Sequence, residues 1–157
     1  MFSKILVPLD GSALSEKALA MAQHLARPAD TSLHLMQVIS LQPELEASHG
    51  IGGESITILE MAQDAARRLI EIRMARGKAY LEGLAVQLQQ AGIHVTTVMR
   101  EGAAAENIVE YAKEQDIDLI VMSTHGGSGF KRFFVGSVTD RVIRSGETPV
   151  LVLPAAP

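Results

Sequence analysis

Residues 119–137, LIVMSTHGGSGFKRFFVGS, decide the fold of this chain. The stretch begins with an apolar run at 119–122, whose β-branched content is typical of a strand buried on both faces. A polar loop with three glycines follows at 123–129, and the apolar spacing after Gly136 is helical. A strand, a glycine loop and a helix start together suit phosphate binding, because glycines permit close backbone approach and a helix N-terminus favours an anion.

A simpler interpretation of the helix start remains open at this point. Ser137 with Asp140 three residues later also fits an ordinary helix-capping arrangement. The loop is not a Walker A motif, because no Gly-Lys-Ser/Thr follows it, and it is not G-x-G-x-x-G. The residues alone therefore leave both phosphate binding and plain capping as alternatives.

The same segment resembles the nucleotide-binding signature of the universal stress protein family. That signature is Gly, two residues, Gly, nine residues, Gly, and then Ser or Thr. Gly126, Gly136 and Ser137 match the pattern, and Ser123 stands where the family has its first glycine. The resemblance extends across the chain, from KILVPLDGS at 4–12 to PVLVL at 149–153.

Hydrophobic periodicity and turn residues predict alternating strands and helices along the chain. Strands are expected at 3–9, 32–39, 94–99, 118–122 and 149–153, and helices at 12–27, 56–91, 103–115 and 137–145. This alternation predicts an α/β fold with a parallel sheet and right-handed crossovers. The family resemblance implies one Rossmann-like, three-layer domain over 1–157, with a five-stranded parallel sheet in the order 3-2-1-4-5. Residues 40–55 are expected to form a flexible surface loop in that domain.

The implied strand order places a topological switch between the first and fourth strands. Ligands of open α/β sheets bind at such a switch, outside the carboxyl ends of the strands. The loops expected to meet there are 8–11 and 123–129, so the topology and the glycine loop predict the same crevice.

The resemblance implies a set of nucleotide contacts around this crevice. Asp10 would accept hydrogen bonds from ribose hydroxyls or bind a phosphate-bound cation. An Asp-Gly pair also suits a plain turn or helix cap. Val38 would contact adenine through its backbone. The full set of predicted binding residues is Pro8, Leu9, Asp10, Val38, Met122, Ser123, His125, Gly126, Gly129, Gly136, Ser137 and Val138.

Catalytic chemistry finds little support in the sequence. The five histidines are scattered without metal-ligand spacing, and His125 is interpreted as a packing or hydrogen-bonding residue of the loop. An adenylating or ATP-pyrophosphatase enzyme would need a Ser-Gly-Gly-x-Asp-Ser loop, whereas the first turn here is DGS at 10–12. A phosphoryl-accepting receiver domain would need an acidic pair after the first strand and an aspartate after the third. Flavin binding is disfavoured because no aromatic residue lies in the loops after the first and third strands.

The composition of the chain limits the class of protein and the kinds of partner that can be expected. The chain has 157 residues, a net charge of −4 and no cysteine, which disfavours a disulfide framework and a nucleic-acid partner. No signal-like leader or membrane-length apolar run is seen, so we expect a soluble cytoplasmic protein.

The favoured function is that of a regulatory ATP-binding stress protein and not an enzyme, with slow ATP hydrolysis left open. We expect Mg²⁺ or Mn²⁺ to be held through the phosphates. We also expect a homodimer formed through the edge strand Val150–Leu153, and a further protein partner that the sequence does not identify. An ATP-hydrolysing or adenylating enzyme of the adenine-nucleotide α/β group is the alternative.

Overall fold

The computed structural model describes residues 2–27, 29–40, 56–124 and 136–154, with the backbone alone for 56–59. The strands are β1 (Lys4–Pro8), β2 (Ser32–Ile39), β3 (His94–Glu101), β4 (Leu119–Ser123) and β5 (Val150–Leu153). The helices are α1 (Ala13–Leu25), α2 (Ile56–Gln90), α3 (Ala104–Glu114) and α4 (Ser137–Ser145). The predicted loop at 40–55 falls, apart from Ser40, outside the described residues.

The five strands form one parallel sheet in the order β3-β2-β1-β4-β5. The predicted fold class and strand order are therefore confirmed. Strand β1 pairs with β2 on one side and with β4 on the other, and the chain reverses its winding direction between β1 and β4. This arrangement makes the carboxyl ends of β1 and β4 the switch point of the sheet.

The observed bounds of two elements differ by one or two residues from the predicted bounds, because capping or strand pairing determines where these elements begin or end. Helix α1 begins at Ala13 because Ser12 is its N-cap, and the Ser12 hydroxyl accepts a hydrogen bond from the Ser15 N–H. Strand β3 continues beyond the predicted residue 99 to Glu101, because Arg100 and Glu101 still pair with the end of β2. The first difference arises from a local cap, whereas the second arises from a partner strand that is distant in sequence.

The sheet is covered on both faces, and its strands alternate between two apolar clusters. Ile5, Val7 and Val121 face α1 and α2, whereas Leu6 and Ile120 face α3 and α4. Strands covered on both faces are expected to be apolar throughout, as the sequence of β4 indicated.

One face of α1 differs from the sequence expectation. Periodicity predicts Leu14, Ala18, Leu19, Ala22 and Leu25 on the buried face, but Leu25 is 37% exposed, while Ser15 is 3% exposed. The Ser15 hydroxyl donates to the Ser12 carbonyl at 2.9 Å, which satisfies the polar group that burial would otherwise penalise.

Helix α2 is much longer than the sheet it covers. Its 35 residues correspond to roughly 50 Å, and its described buried residues, Gly77, Leu81, Ala85 and Leu88, all lie in the C-terminal half. None of the helices in the described part of the chain combines the length and apolar character that a membrane span requires.

Replacing Gly83 with alanine is expected to stabilise the protein. Gly83 lies inside α2, and a Cβ built there meets nothing within 4 Å. Alanine lowers the conformational entropy cost of the helix, so we expect a gain of about 0.5–1 kcal/mol and a rise in Tm of roughly 1–4 °C in thermal unfolding.

Gly77 is the matched comparison within the same helix. A Cβ built at Gly77 would lie 2.6 Å from both Gln37 Oε1 and Met99 Cε. Gly77→Ala should therefore gain less than Gly83→Ala, because these two side-chain ends must first shift. A lower Tm for Gly83→Ala than for the wild type would contradict this assignment of the two glycines.

Candidate functional site

A crevice opens where the sequence predicted it, at the carboxyl ends of β1 and β4. It encloses about 160 Å³. Its walls come from the ends of β1, β2 and β4, from the first two turns of α3, from the first turn of α4, and from α1. The lining residues are Pro8, Leu9, Asp10, Ser15, Met36, Val38, Ala104, Ile108, Met122, Ser123, Val138 and Thr139.

The interior of the crevice is mainly apolar. Met36, Ile108 and Met122 are buried, and they belong to the cluster that packs under α3 and α4. Pro8 and Val38 are partly buried and border the same space. An apolar pocket with a few convergent polar groups is the usual form of a small-molecule site, and its small volume suits one flat ring system better than a whole nucleotide.

The end of β2 presents its backbone toward this space. The Met36 carbonyl accepts from the Leu9 N–H at 2.7 Å, so the backbone groups of Met36 point toward β1. Val38 follows two residues later, and alternation along a strand gives its N–H and C=O the same direction. The β1–β2 register ends at the pair Pro8–Met36, so the backbone groups of Val38 lie beyond that ladder, at the crevice.

Asp10 lies in the turn between β1 and α1. Its Oδ1 accepts from the Ser12 N–H at 2.9 Å, which is the turn role that Asp-Gly suggested. Burial opposes ionisation of this carboxyl, but hydrogen bonds from Ser12 and Ser15 outweigh it and hold the pKa of Asp10 below its ordinary value. Asp10 is therefore an ionised acceptor at neutral pH, and it lines the crevice as well as forming the turn.

The turn after β1 also requires a glycine. Gly11 has a φ of +79°, a conformation that side-chain-bearing residues rarely adopt. The Asp10-Gly11 pair thus brings the carboxylate to the crevice and starts α1 within two residues.

The N-terminus of α4 borders the crevice on the other side. Its N-cap is Gly136, and no described side chain caps it by a hydrogen bond. The first intrahelical bond runs from the Asp140 N–H to the Gly136 carbonyl, which leaves the N–H groups of the first turn outside the helical ladder. Such a terminus favours an anionic ligand group.

The capping alternative for this helix start is wrong. Ser137 is the first helical residue and not the cap, and the Asp140 carboxylate instead accepts from Arg144 Nε at 2.8 Å. At Gly136, φ is −57°, so its backbone conformation does not itself demand glycine.

Two hydrogen bonds fix α4 to the end of β4. The Thr139 hydroxyl donates to the Ser123 carbonyl at 2.9 Å, and the Gly136 N–H donates to the Thr124 carbonyl at 2.5 Å. Thr139 is 3% exposed and Ser123 is partly buried, so the link between the strand and the helix start is largely shielded from solvent. It holds the first turn of α4 against the crevice.

The structure brings together most of the predicted residues that it describes. Seven of them line the crevice, namely Pro8, Leu9, Asp10, Val38, Met122, Ser123 and Val138. Gly136 and Ser137 lie at the adjoining helix start. His125, Gly126 and Gly129 lie outside the described residues, so their predicted contacts remain predictions.

Sequence reasoning missed five lining residues: Ser15, Met36, Ala104, Ile108 and Thr139. Ala104 and Ile108 lie one turn apart on α3, and their spacing would have indicated one helix face but not the crevice it meets. Thr139 lies two residues after the signature hydroxyl at Ser137, and its position in the first turn was a usable signal.

The chain is similar to known proteins over almost its whole length. The model of the universal stress protein family matches residues 1–154. The universal stress protein MJ0531 of Methanocaldococcus jannaschii is 31% identical over 153 residues, covering 98% of this chain and 82% of that protein. YxiE, a universal stress protein of Bacillus subtilis, is also 31% identical over 153 residues, covering 98% of this chain and 99% of its own.

A solved structure gives the same picture of the fold. Protein MJ0577 of Methanocaldococcus jannaschii superposes with a TM-score of 0.79 at 27% identity, covering 100% of this chain and 99% of that one. Its curated name is also that of a universal stress protein. The likeness therefore extends over the whole α/β domain, including both sides of the crevice.

Proposed function

The chain belongs to the universal stress protein family, and from that premise we propose that it binds ATP in the crevice between β1 and β4. One observation carries the proposal: an apolar pocket, an ionised acceptor and a helix N-terminus that no described side chain caps adjoin one another at the switch point. These are the three chemical environments that a base, a ribose and a phosphate chain need.

The apolar pocket is proposed to hold adenine. Adenine carries an acceptor at N1 beside a donor at its 6-amino group, and the Val38 N–H and C=O offer the complementary pair. Guanine in the same pose would set its 6-oxo group against the Val38 carbonyl, leaving the polar groups mismatched. This complementarity is the reason to expect ATP to bind more tightly than GTP.

Asp10 and the start of α4 are proposed to bind the rest of the nucleotide. The Asp10 carboxylate would accept from ribose hydroxyls, and the N–H groups of the first α4 turn would face the phosphates. In the described part of the chain no group of three or more side chains could hold a metal ion. Mg²⁺ or Mn²⁺ would therefore be held chiefly by the phosphates.

The role we propose is regulatory and not catalytic. Asp10 is the only ionisable side chain among the described lining residues, and the others contribute three hydroxyls and apolar groups. This set supports binding and orientation of a nucleotide without an evident nucleophile–base pair. Nucleotide occupancy, together with dimerisation through β5, would then be what a partner protein recognises.

Calorimetric titration of the purified protein with Mg-ATP tests this function. We expect saturable heat for ATP and at least about 10-fold weaker binding for GTP. Asp10→Ala should weaken ATP by about 10-fold, because it removes a charge-assisted hydrogen bond. Asp30→Ala, at an exposed aspartate next to the amino ends of the strands, is the matched control and should bind as the wild type does. The proposal fails if Mg-ATP gives neither heat nor a thermal shift.

A further inference from the structure

A second pocket lies on the opposite face of the sheet from the crevice, and we call it the α2 pocket. It is formed by Gly11, Gln37, Arg73, Arg76, Gly77 and Tyr80 with the neighbouring end of β2, and encloses about 440 Å³. That volume lies within the range of small-molecule sites. Gln37 points to this side because side chains alternate along β2, and its neighbours Met36 and Val38 face the crevice.

Among the described residues that line the α2 pocket, the charged ones are both cationic. Arg73 and Arg76 lie three residues apart on α2, which places them side by side on one helix face. In the described part of the chain, Arg76 has no carboxylate within ion-pair distance. Guanidinium groups bind phosphate through parallel N–H donors, so two adjacent arginines form a suitable anion-binding wall.

Other polar groups decide at which end of the pocket an anion can bind. The Tyr80 hydroxyl donates to Glu16 Oε1 at 3.1 Å, and the negative charges of Glu16 and Asp10 both act on Tyr80. These charges disfavour a phosphate at the Tyr80 end, so the phosphate is placed at Arg73 and Arg76. Gly11 precedes the N-terminus of α1, which the Ser12 hydroxyl and the Asp10 carboxylate already cap, so no phosphate is placed there. A Cβ built at Gly11 would meet nothing within 4 Å, so the approach to the pocket is open at this point.

Gln37 adds an unmet hydrogen-bonding requirement. Its Oε1 is buried and has no hydrogen-bond partner in the described part of the chain. A buried amide oxygen without a donor is unfavourable, so a ligand hydroxyl that meets the amide after a side-chain rotation would recover a hydrogen bond. The floor of the pocket thus favours a ligand with a donor in addition to an anionic group.

From these features we infer that the α2 pocket is a second ligand site, for a soluble organic phosphate that carries hydroxyl groups. The phosphate contacts Arg73 and Arg76, and a hydroxyl contacts the Gln37 amide. Val38 lines both this pocket and the crevice, so the two sites share one residue but lie on different faces of the sheet. The inference does not depend on ATP occupying the crevice.

Nuclear magnetic resonance of the ¹⁵N-labelled full chain tests the site with ribose 5-phosphate as the probe and ribose as its uncharged counterpart. We expect saturable shifts of the Gly77 amide and the Gln37 side-chain amide with ribose 5-phosphate and none with ribose. The amides of Ser123 and Ser137 report the crevice separately. In a Gly136→Val background the α2-pocket shifts should persist, which separates this inference from the nucleotide proposal.

Matched variants decide whether the arginine wall is responsible. Arg76→Ala should weaken binding at the α2 pocket by about 10-fold, whereas Arg68→Ala, an exposed arginine two turns away on the same helix, should not. Gln37→Leu should also weaken binding while leaving the Tm unchanged or higher, because it removes the partnerless oxygen. Absence of shifts at Gly77 and Gln37, an equal response to ribose, or an equal loss in both arginine variants would each overturn the inference.

Discussion

Replacing Gly136 with valine is expected to abolish ATP binding while the protein stays folded. The N-cap residue has φ −57° and ψ 152°, a conformation that valine also adopts. Its N–H donates to the Thr124 carbonyl, a bond that needs no particular side chain. Valine would, however, place an isopropyl group beside the first turn of α4, where the phosphates would approach the N–H groups.

The expected loss of affinity is at least about 100-fold, because several backbone–phosphate hydrogen bonds are blocked together. Valine is also a poorer N-cap than glycine, so unfolding free energy should fall by about 1 kcal/mol. Calorimetry with Mg-ATP and circular dichroism measure the two effects separately. Gly83→Val, at an exposed glycine with open space around it, is the control for an added isopropyl group. A folded Gly136→Val protein with wild-type affinity would show that the phosphates bind elsewhere.

Introducing proline at Val152 is expected to convert a homodimer into a monomer. Strand β5 is the outer strand of the sheet, and all four of its residues are only partly buried. The carbonyls of Pro149 and Leu153 accept from β4, so residues 149, 151 and 153 direct their backbone groups inward. Val150 and Val152 therefore direct theirs to the open edge, which no charge or proline protects within the strand.

An open apolar edge supports our proposal that two copies pair through β5 about a two-fold axis. Val152→Pro removes an outward N–H without breaking the β4–β5 ladder. Thr97→Pro is the matched control at the other edge of the sheet. Gly102 donates to the Ile39 carbonyl, so alternation turns the Thr97 N–H away from β2.

Gel filtration with light scattering gives the result at micromolar concentration. We expect the wild type and Thr97→Pro at twice 16.8 kDa, and Val152→Pro at 16.8 kDa. Leu151→Pro should instead lower thermal stability, because its N–H belongs to the inward ladder. If the wild type itself is monomeric, pairing through β5 is refuted.

The residues on either side of the glycine loop, 119–124 and 136–145, show how far local sequence determines structure in this protein. Residues 119–122 specified a buried strand, and the spacing after Gly136 specified a helix that begins at Ser137, as observed. The partner of Asp140 is also local, because Arg144 lies one turn later on the same helix, but the sequence did not show that this pair would form in place of a cap. Asp10 combines the turn and the crevice interpretations, which the sequence had offered as alternatives.

By itself, the sequence determined the order of strands and helices along the chain and the class of sheet, and its family resemblance implied most of the described residues at the switch point. Hydrophobic period, glycines and caps act within a few residues, so they can be recognised without the fold. Only the tertiary structure decided that Ser15 is buried, that Ile108 and Thr139 line the crevice, and that Val38 extends beyond the β1 ladder. These features depend on the relative lengths of paired strands and on where each helix crosses the sheet. The residues that meet in this way are far apart in the chain, and the packing of the whole domain brings them together.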